Sequence, residues 1–171
     1  MLKELIAERL EQAFSQFGFA EASVAQLKTA CDVSLRTLYK HYPSKEDMIV
    51  AALDNRHQRY LKFLSNDAPE DGLEAVLHIF SKLKQWMEEY APNGCMSVSA
   101  LGAFPEHILI KQTIKDHKED VRNFLGKHSL RIDLATQLFL LHEGVSSAWP
   151  VLGDEALSSA QQAILSLLDE T

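Results

Sequence analysis

Apolar residues recur at three- and four-residue steps along almost the whole chain, the period of a helix face rather than of a strand. Leu2, Leu5, Ile6, Leu10, Ala13, Phe14 and Phe17 make the first stripe, and Gly18 follows where a left-handed cap belongs. Ser23-Val24-Ala25-Gln26 has the spacing of a capping box, opening a short second helix that ends near Cys31. After Asp32-Val33, Ser34 is placed to cap a third short helix through about His41. Pro43-Ser44-Lys45-Glu46-Asp47 then supplies a turn, a cap and acids for the first turn of a long fourth helix, residues 45–64. Breaks at Pro69, Pro92-Asn93-Gly94 and Pro105 separate further helices over 70–90, 95–104 and 107–125, followed by 130–149 and 154–168. The expected fold is all-α with about nine helices.

Composition narrows the class. The 171 residues include 17 Lys+Arg against 24 Asp+Glu, a net charge of −7, which taken whole argues against a polyanionic partner. The distribution reverses that first impression. Residues 1–60 hold 8 basic and 8 acidic side chains, whereas residues 61–171 hold 9 and 16. The apolar run around Leu138 to Leu141 is far too short to span a bilayer. Met1-Leu2-Lys3-Glu4-Leu5 alternates charged with apolar residues, unlike a secretory signal, so a cytoplasmic protein with no membrane partner is expected. Cys31 and Cys95 stand apart, without the spacing of a disulfide framework or zinc site, and neither a metal nor another cofactor is expected.

The two short helices over residues 23–41 read as a helix-turn-helix, a pattern that ordinary helical packing also produces. The side chains separate the two readings. From Val33 to Lys45 the chain carries Arg36, Lys40, Lys45 and His41 with no acid, interleaved with the hydroxyls of Ser34, Thr37, Tyr39, Tyr42 and Ser44. Cations, hydroxyls and a helix N-terminus are the groups that take phosphate oxygens. At Phe14 through Gly18-Phe19, Ser23-Val24-Ala25-Gln26-Leu27, Val33-Ser34 and Thr37-Leu38-Tyr39-Lys40-His41-Tyr42-Pro43-Ser44-Lys45-Glu46, the sequence resembles the TetR family of bacterial transcriptional regulators. The likeness covers about residues 5–58, with Gly94-Cys95-Met96 similar to a segment of one branch. Asp32 stands where the family usually has Gly, and Asp tolerates a left-handed backbone better than most residues. Leu35-Arg36 replaces a small or basic pair.

The resemblance implies an N-terminal three-helix DNA-binding domain, residues 1–46, followed by a larger helical domain for ligand binding and dimerisation, residues 47–171. The third helix would enter the major groove of double-stranded DNA, with Leu35, Arg36 and Thr37 at base edges and Arg36 suited to guanine. Tyr39, Lys40, His41, Ser44 and Lys45 would hold phosphates, with Ser34 at the helix N-terminus and Lys28 on the flanking backbone. Tyr42 has two readings, phosphate contact or packing between the third and fourth helices. Phe14, Leu27, Val33 and Leu38 read as core. Two copies of Arg36, Lys40 and Lys45 imply that log affinity falls with log salt at a slope of about −5.

In the acidic part, the stripes Leu138, His142, Val145, Trp149 and Leu157, Ala160, Ile164, Leu168 pack on the body of the domain or, as the resemblance implies, form a homodimer interface. Trp86, Tyr90, Met96, Phe104, Phe124 and Phe139 are plain core or, under the resemblance, line a pocket for a small-molecule effector. Cys95 is an inert thiol or a sensor of electrophiles. No Gly-rich phosphate loop, GxSxG or HExxH is present, so an enzyme is not expected. The expected function is a ligand-responsive repressor on a palindromic operator. Its rival is a helical protein-binding adaptor without DNA binding.

Overall fold

The computed structural model describes residues 1–169. Among these the helices are α1 (Leu2–Phe17), α2 (Val24–Cys31), α3 (Leu35–His41), α4 (Lys45–Ser65), α5 (Leu73–Glu89), α6 (Met96–Ala103), α7 (Ile108–His128), α8 (Ala135–Leu152) and α9 (Asp154–Asp169). A single 3-10 turn, Ile132–Leu134, precedes α8, and no described residue lies in a strand. The local signals operate as expected at the start of the chain. Ser23 Oγ accepts from the Gln26 N–H at 3.2 Å while the Gln26 carbonyl oxygen accepts from the Ser23 N–H at 2.9 Å. These bonds satisfy donors that the first turn leaves open. No described helix is long and apolar enough to cross a membrane.

The chain divides into two compact units, one of residues 1–59 and 96–117, the other of residues 60–95 and 118–171. The first is larger than the segment 1–46, because the first part of α4, α6 and the start of α7 share its core. Phe14, Leu27 and Leu38 from the three short helices, Met48, Ile49 and Leu53 from α4, and Ala100 and Ile110 make that core continuous. In the second unit α5, α8 and α9 pack together over Phe80, Leu83, Trp86, Leu138, Val145, Leu157 and Ile164.

Residues expected at two sites fall in or against that second core. Leu138, His142, Val145, Leu157, Ala160 and Ile164, expected at a dimer interface, are buried inside the chain, with Trp149 and Leu168 packed against the same cluster. An amphipathic helix turns its apolar stripe to the nearest core, and here the chain's own core takes it. The outward face of α8 carries Leu140, Gly144, Ser147 and Val151 instead, with Leu140 62% and Val151 85% exposed. Of the six residues expected around a pocket, Trp86 belongs to that second core, with Phe124 and Phe139 packed against it. Met96 and Phe104 pack in the first unit. Trp86 and Tyr90 meet at a tilt in the second, ring centroids 4.8 Å apart, Phe124 is tilted against His128, and Phe139 stacks on His142.

Candidate nucleic-acid interface

The turn that joins α2 to α3 decides how α3 is presented. Asp32 sits at φ 52, ψ 47, the left-handed conformation that ends α2, and its N–H reaches the Thr29 carbonyl at 3.1 Å. Arg9 of α1 donates to the Cys31 carbonyl at 2.6 Å, satisfying another acceptor at the same helix end. Ser34 then caps α3, its Oγ accepting from the Thr37 N–H at 3.0 Å and lying 2.8 Å from Thr37 Oγ1. Beyond α3, Ser44 and Asp47 close a reciprocal cap on α4, each accepting from the other's N–H at 3.0 Å.

One side of α3 points inward and the other is left to solvent. Leu38 is fully buried, whereas Ser34, Leu35, Arg36, Tyr39 and Lys40 are exposed, with Leu35 46% and Tyr39 40% accessible. The spacing 35, 36, 39, 40 puts those side chains on one helical face. Thr37 and His41 flank it, half-buried, and Lys28 is exposed on α2. Among the described residues no acid pairs with Lys28, Arg36 or Lys40 within 4.0 Å.

Three expected phosphate ligands are placed differently. Tyr42 is buried, 6% exposed, and its hydroxyl donates to the Lys3 carbonyl at 3.0 Å. It anchors α3 to α1 and is not available to a phosphate. Ser44 is half-buried and its hydroxyl donates to Asp47 at 2.7 Å. Lys45 is half-buried as well: its Nζ donates to the Ala20 carbonyl at 3.0 Å and lies 6.0 Å from the Phe104 ring centre. The cationic face of α3 therefore reduces to Arg36 and Lys40, with Lys28 beside it on α2.

Sequence reasoning missed Glu11. It lies on the buried side of α1, 3% exposed, and accepts from Asn55 at 2.7 Å, Arg56 at 3.1 Å and Arg59 at 2.6 Å, all on α4. A buried carboxylate persists only with such partners. The available signal was an acid inside an apolar stripe with two arginines at three-residue spacing far downstream.

The family model described as bacterial regulatory proteins, tetR family, matches residues 6–52, the segment that contains α1, the capped turn and α3. Over that N-terminal segment the chain is similar to the tetR family. No curated protein sequence matches it significantly. The fold of the chain is shared with SCO4454, a TetR-family transcriptional regulator from Streptomyces coelicolor, at a TM-score of 0.80 and 15% identity over 99% of this chain and 97% of that one. It is also shared with a transcriptional regulator of this class, sav143, from Streptomyces avermitilis, at 0.79 and 20% identity over 99% and 98%. A third neighbour, a cysteine-substituted form of the TetR-family regulator CifR, is 22% identical at a TM-score of 0.74 over 94% of each chain. That CifR structure is described as complexed with 26bp double-strand operator DNA.

Proposed function

We propose that the protein is a transcriptional regulator of the TetR family, acting as a homodimeric repressor that reads an inverted-repeat operator in the major groove. The observation that carries the reading is the exposed face of α3, where Arg36 and Lys40 stand without an acid partner beside a capped helix N-terminus. Arg36 at the start of the helix is suited to the two acceptors of a guanine edge, and Lys40 one turn on to a phosphate. The CifR complex with operator DNA, on the same fold, supports this use of the domain.

Dimerism follows from economy of recognition. One seven-residue helix reads few base pairs, and a two-fold axis doubles both contacts and specificity. The outward residues Leu140, Gly144, Ser147 and Val151 of α8 give a second copy an apolar, small-residue face to pack on. A small effector bound in the second unit would tilt α4, change the separation of the two α3 helices and so lower affinity in both half-sites at once. A coupling of about 1–3 kcal/mol suffices for such a shift. The direct test is selection of bound duplexes from a random pool by the full chain. Recovery of an inverted repeat is the expected result; recovery of single half-sites, or of no enriched sequence, contradicts the proposal.

A further inference from the structure

On the exposed face of α3, Leu35 is out of keeping with its cationic neighbours. Its side chain is 46% exposed and takes no part in the core of the first unit, where Leu38 fills the inward position and Val33 packs against the cluster. A leucine alone on a surface is ordinary. This one stands beside Arg36 and one helical turn before the exposed Tyr39, on the face proposed to meet the major groove. Among the described residues, Leu35 and Tyr39 are the large apolar side chains that α3 leaves exposed.

The hydroxyls around Leu35 are engaged with each other. Ser34 Oγ accepts from the Thr37 N–H at 3.0 Å, and the Ser34 and Thr37 hydroxyl oxygens lie 2.8 Å apart, so one of the two protons is used inside the cap. Thr37 is half-buried as well. The start of α3 therefore presents one forked cation, Arg36, and one bare aliphatic group, Leu35. In the major groove the base edges are marked by donors and acceptors, and the apolar mark is the C5 methyl of thymine. Set against the amino group of cytosine or adenine, Leu35 would strip water from a donor and offer no acceptor in return. Set against a thymine methyl, it removes apolar surface from water on both sides of the contact.

We propose that Leu35 is a specificity-determining residue that reads a thymine methyl next to the guanine taken by Arg36. Successive residues of a helix point about 100° apart, so Leu35 and Arg36 address neighbouring base pairs rather than one. Each half-site then carries a thymine beside the guanine, and the two-fold axis repeats the pair in the other half. This role of Leu35 rests on the proposed DNA binding and fixes one base position within it.

The test removes the methyl alone. The full chain is offered a duplex selected from the random pool, and each thymine is replaced in turn by deoxyuridine, which pairs identically and lacks the C5 methyl. Wild type is expected to lose about four-fold in affinity at one thymine of each half-site, the effect of one buried carbon, and about fifteen-fold when both are replaced. Leu35→Ala, a change outside the core, is expected to bind the thymine and deoxyuridine duplexes equally. Equal wild-type affinity for the two duplexes, or the same loss in Leu35→Ala, contradicts the methyl contact while leaving duplex binding in place. An enriched half-site with no thymine beside guanine contradicts it as well. Failure to bind any duplex overturns the DNA-binding reading and takes the role of Leu35 with it.

Discussion

Tyr42 and Lys3 are joined by a hydrogen bond of 3.0 Å from the phenol to the main-chain carbonyl, across 39 residues of sequence. It ties the residue that ends α3 to the first turn of α1, so the orientation of the cationic face depends on a buried ring and not on the turn alone. Tyr42→Phe retains the packing and removes the donor. Urea unfolding is expected to show a loss of about 1 kcal/mol, the usual net worth of one such bond. Tyr42→Ala also empties the ring's volume and costs about 3 kcal/mol or more.

The left-handed Asp32 gives a test of the turn. A side chain in that conformation costs about 1–2 kcal/mol that glycine avoids. Asp32→Gly is therefore expected to raise the denaturation midpoint slightly, and Asp32→Val to lower it by at least as much. Equal midpoints for Gly and Val would mean that the turn is not held left-handed in solution.

Glu11 holds three partners from α4 with its own side chain only 5% exposed and that of Arg56 11% exposed. Removing the charge takes the shared acceptor from Asn55, Arg56 and Arg59. Glu11→Gln is expected to destabilise by about 3 kcal/mol, more than a surface ion pair would justify. The measurement is a melting or urea curve at neutral pH.

Stability should also fall with acid, in a window set by His142 and Glu143. His142 faces Tyr60 from α4, Lys118 through Glu143 from α7, and Phe80 from α5. Its folded form resists protonation, so the unfolded chain binds the extra proton once pH falls below the ordinary value near 6.5. Glu143 is pushed up by burial, but His142 and Lys118 outweigh that and hold it at about 2, so its contribution is present above 4.5 and fades as pH drops toward 2. Both effects have the same sign. Wild type should lose stability from about pH 6.5 downward, and His142→Gln should flatten the upper part of that curve.

What was legible in the sequence was local. Ser23, Ser34 and Ser44 cap the helices they were expected to cap, and Phe14, Leu27 and Leu38 form the core expected of them, because caps and stripes act within a few residues. The departures come from tertiary partners. α5 was expected from residue 70 but starts at Leu73, where the Gly72 N–H is held by the His128 carbonyl at 2.8 Å. α7 was expected to stop near residue 125 but continues to His128, because Gly126 allows a close approach to Ala135, where a Cβ would lie 2.7 Å from the neighbouring methyl. A stripe of apolar residues does not say whether a second copy or the chain's own core covers it, and α8 resolves that in favour of the core. Lys45 read as a phosphate ligand by type, yet its partner, the Ala20 carbonyl, lies 25 residues away.

The central claim is that the exposed face of α3 meets phosphate and bases, and the salt dependence of binding tests it most directly. With the Lys45 ammonium held on the Ala20 carbonyl, the six cations expected from sequence reduce to Arg36 and Lys40 in each protomer of the proposed homodimer. Log affinity for a mixed-sequence duplex should then fall with log salt at a slope of about −4, and Lys40→Ala should bring it to about −2. A slope near zero, or one that Lys40→Ala leaves unchanged, would contradict the account.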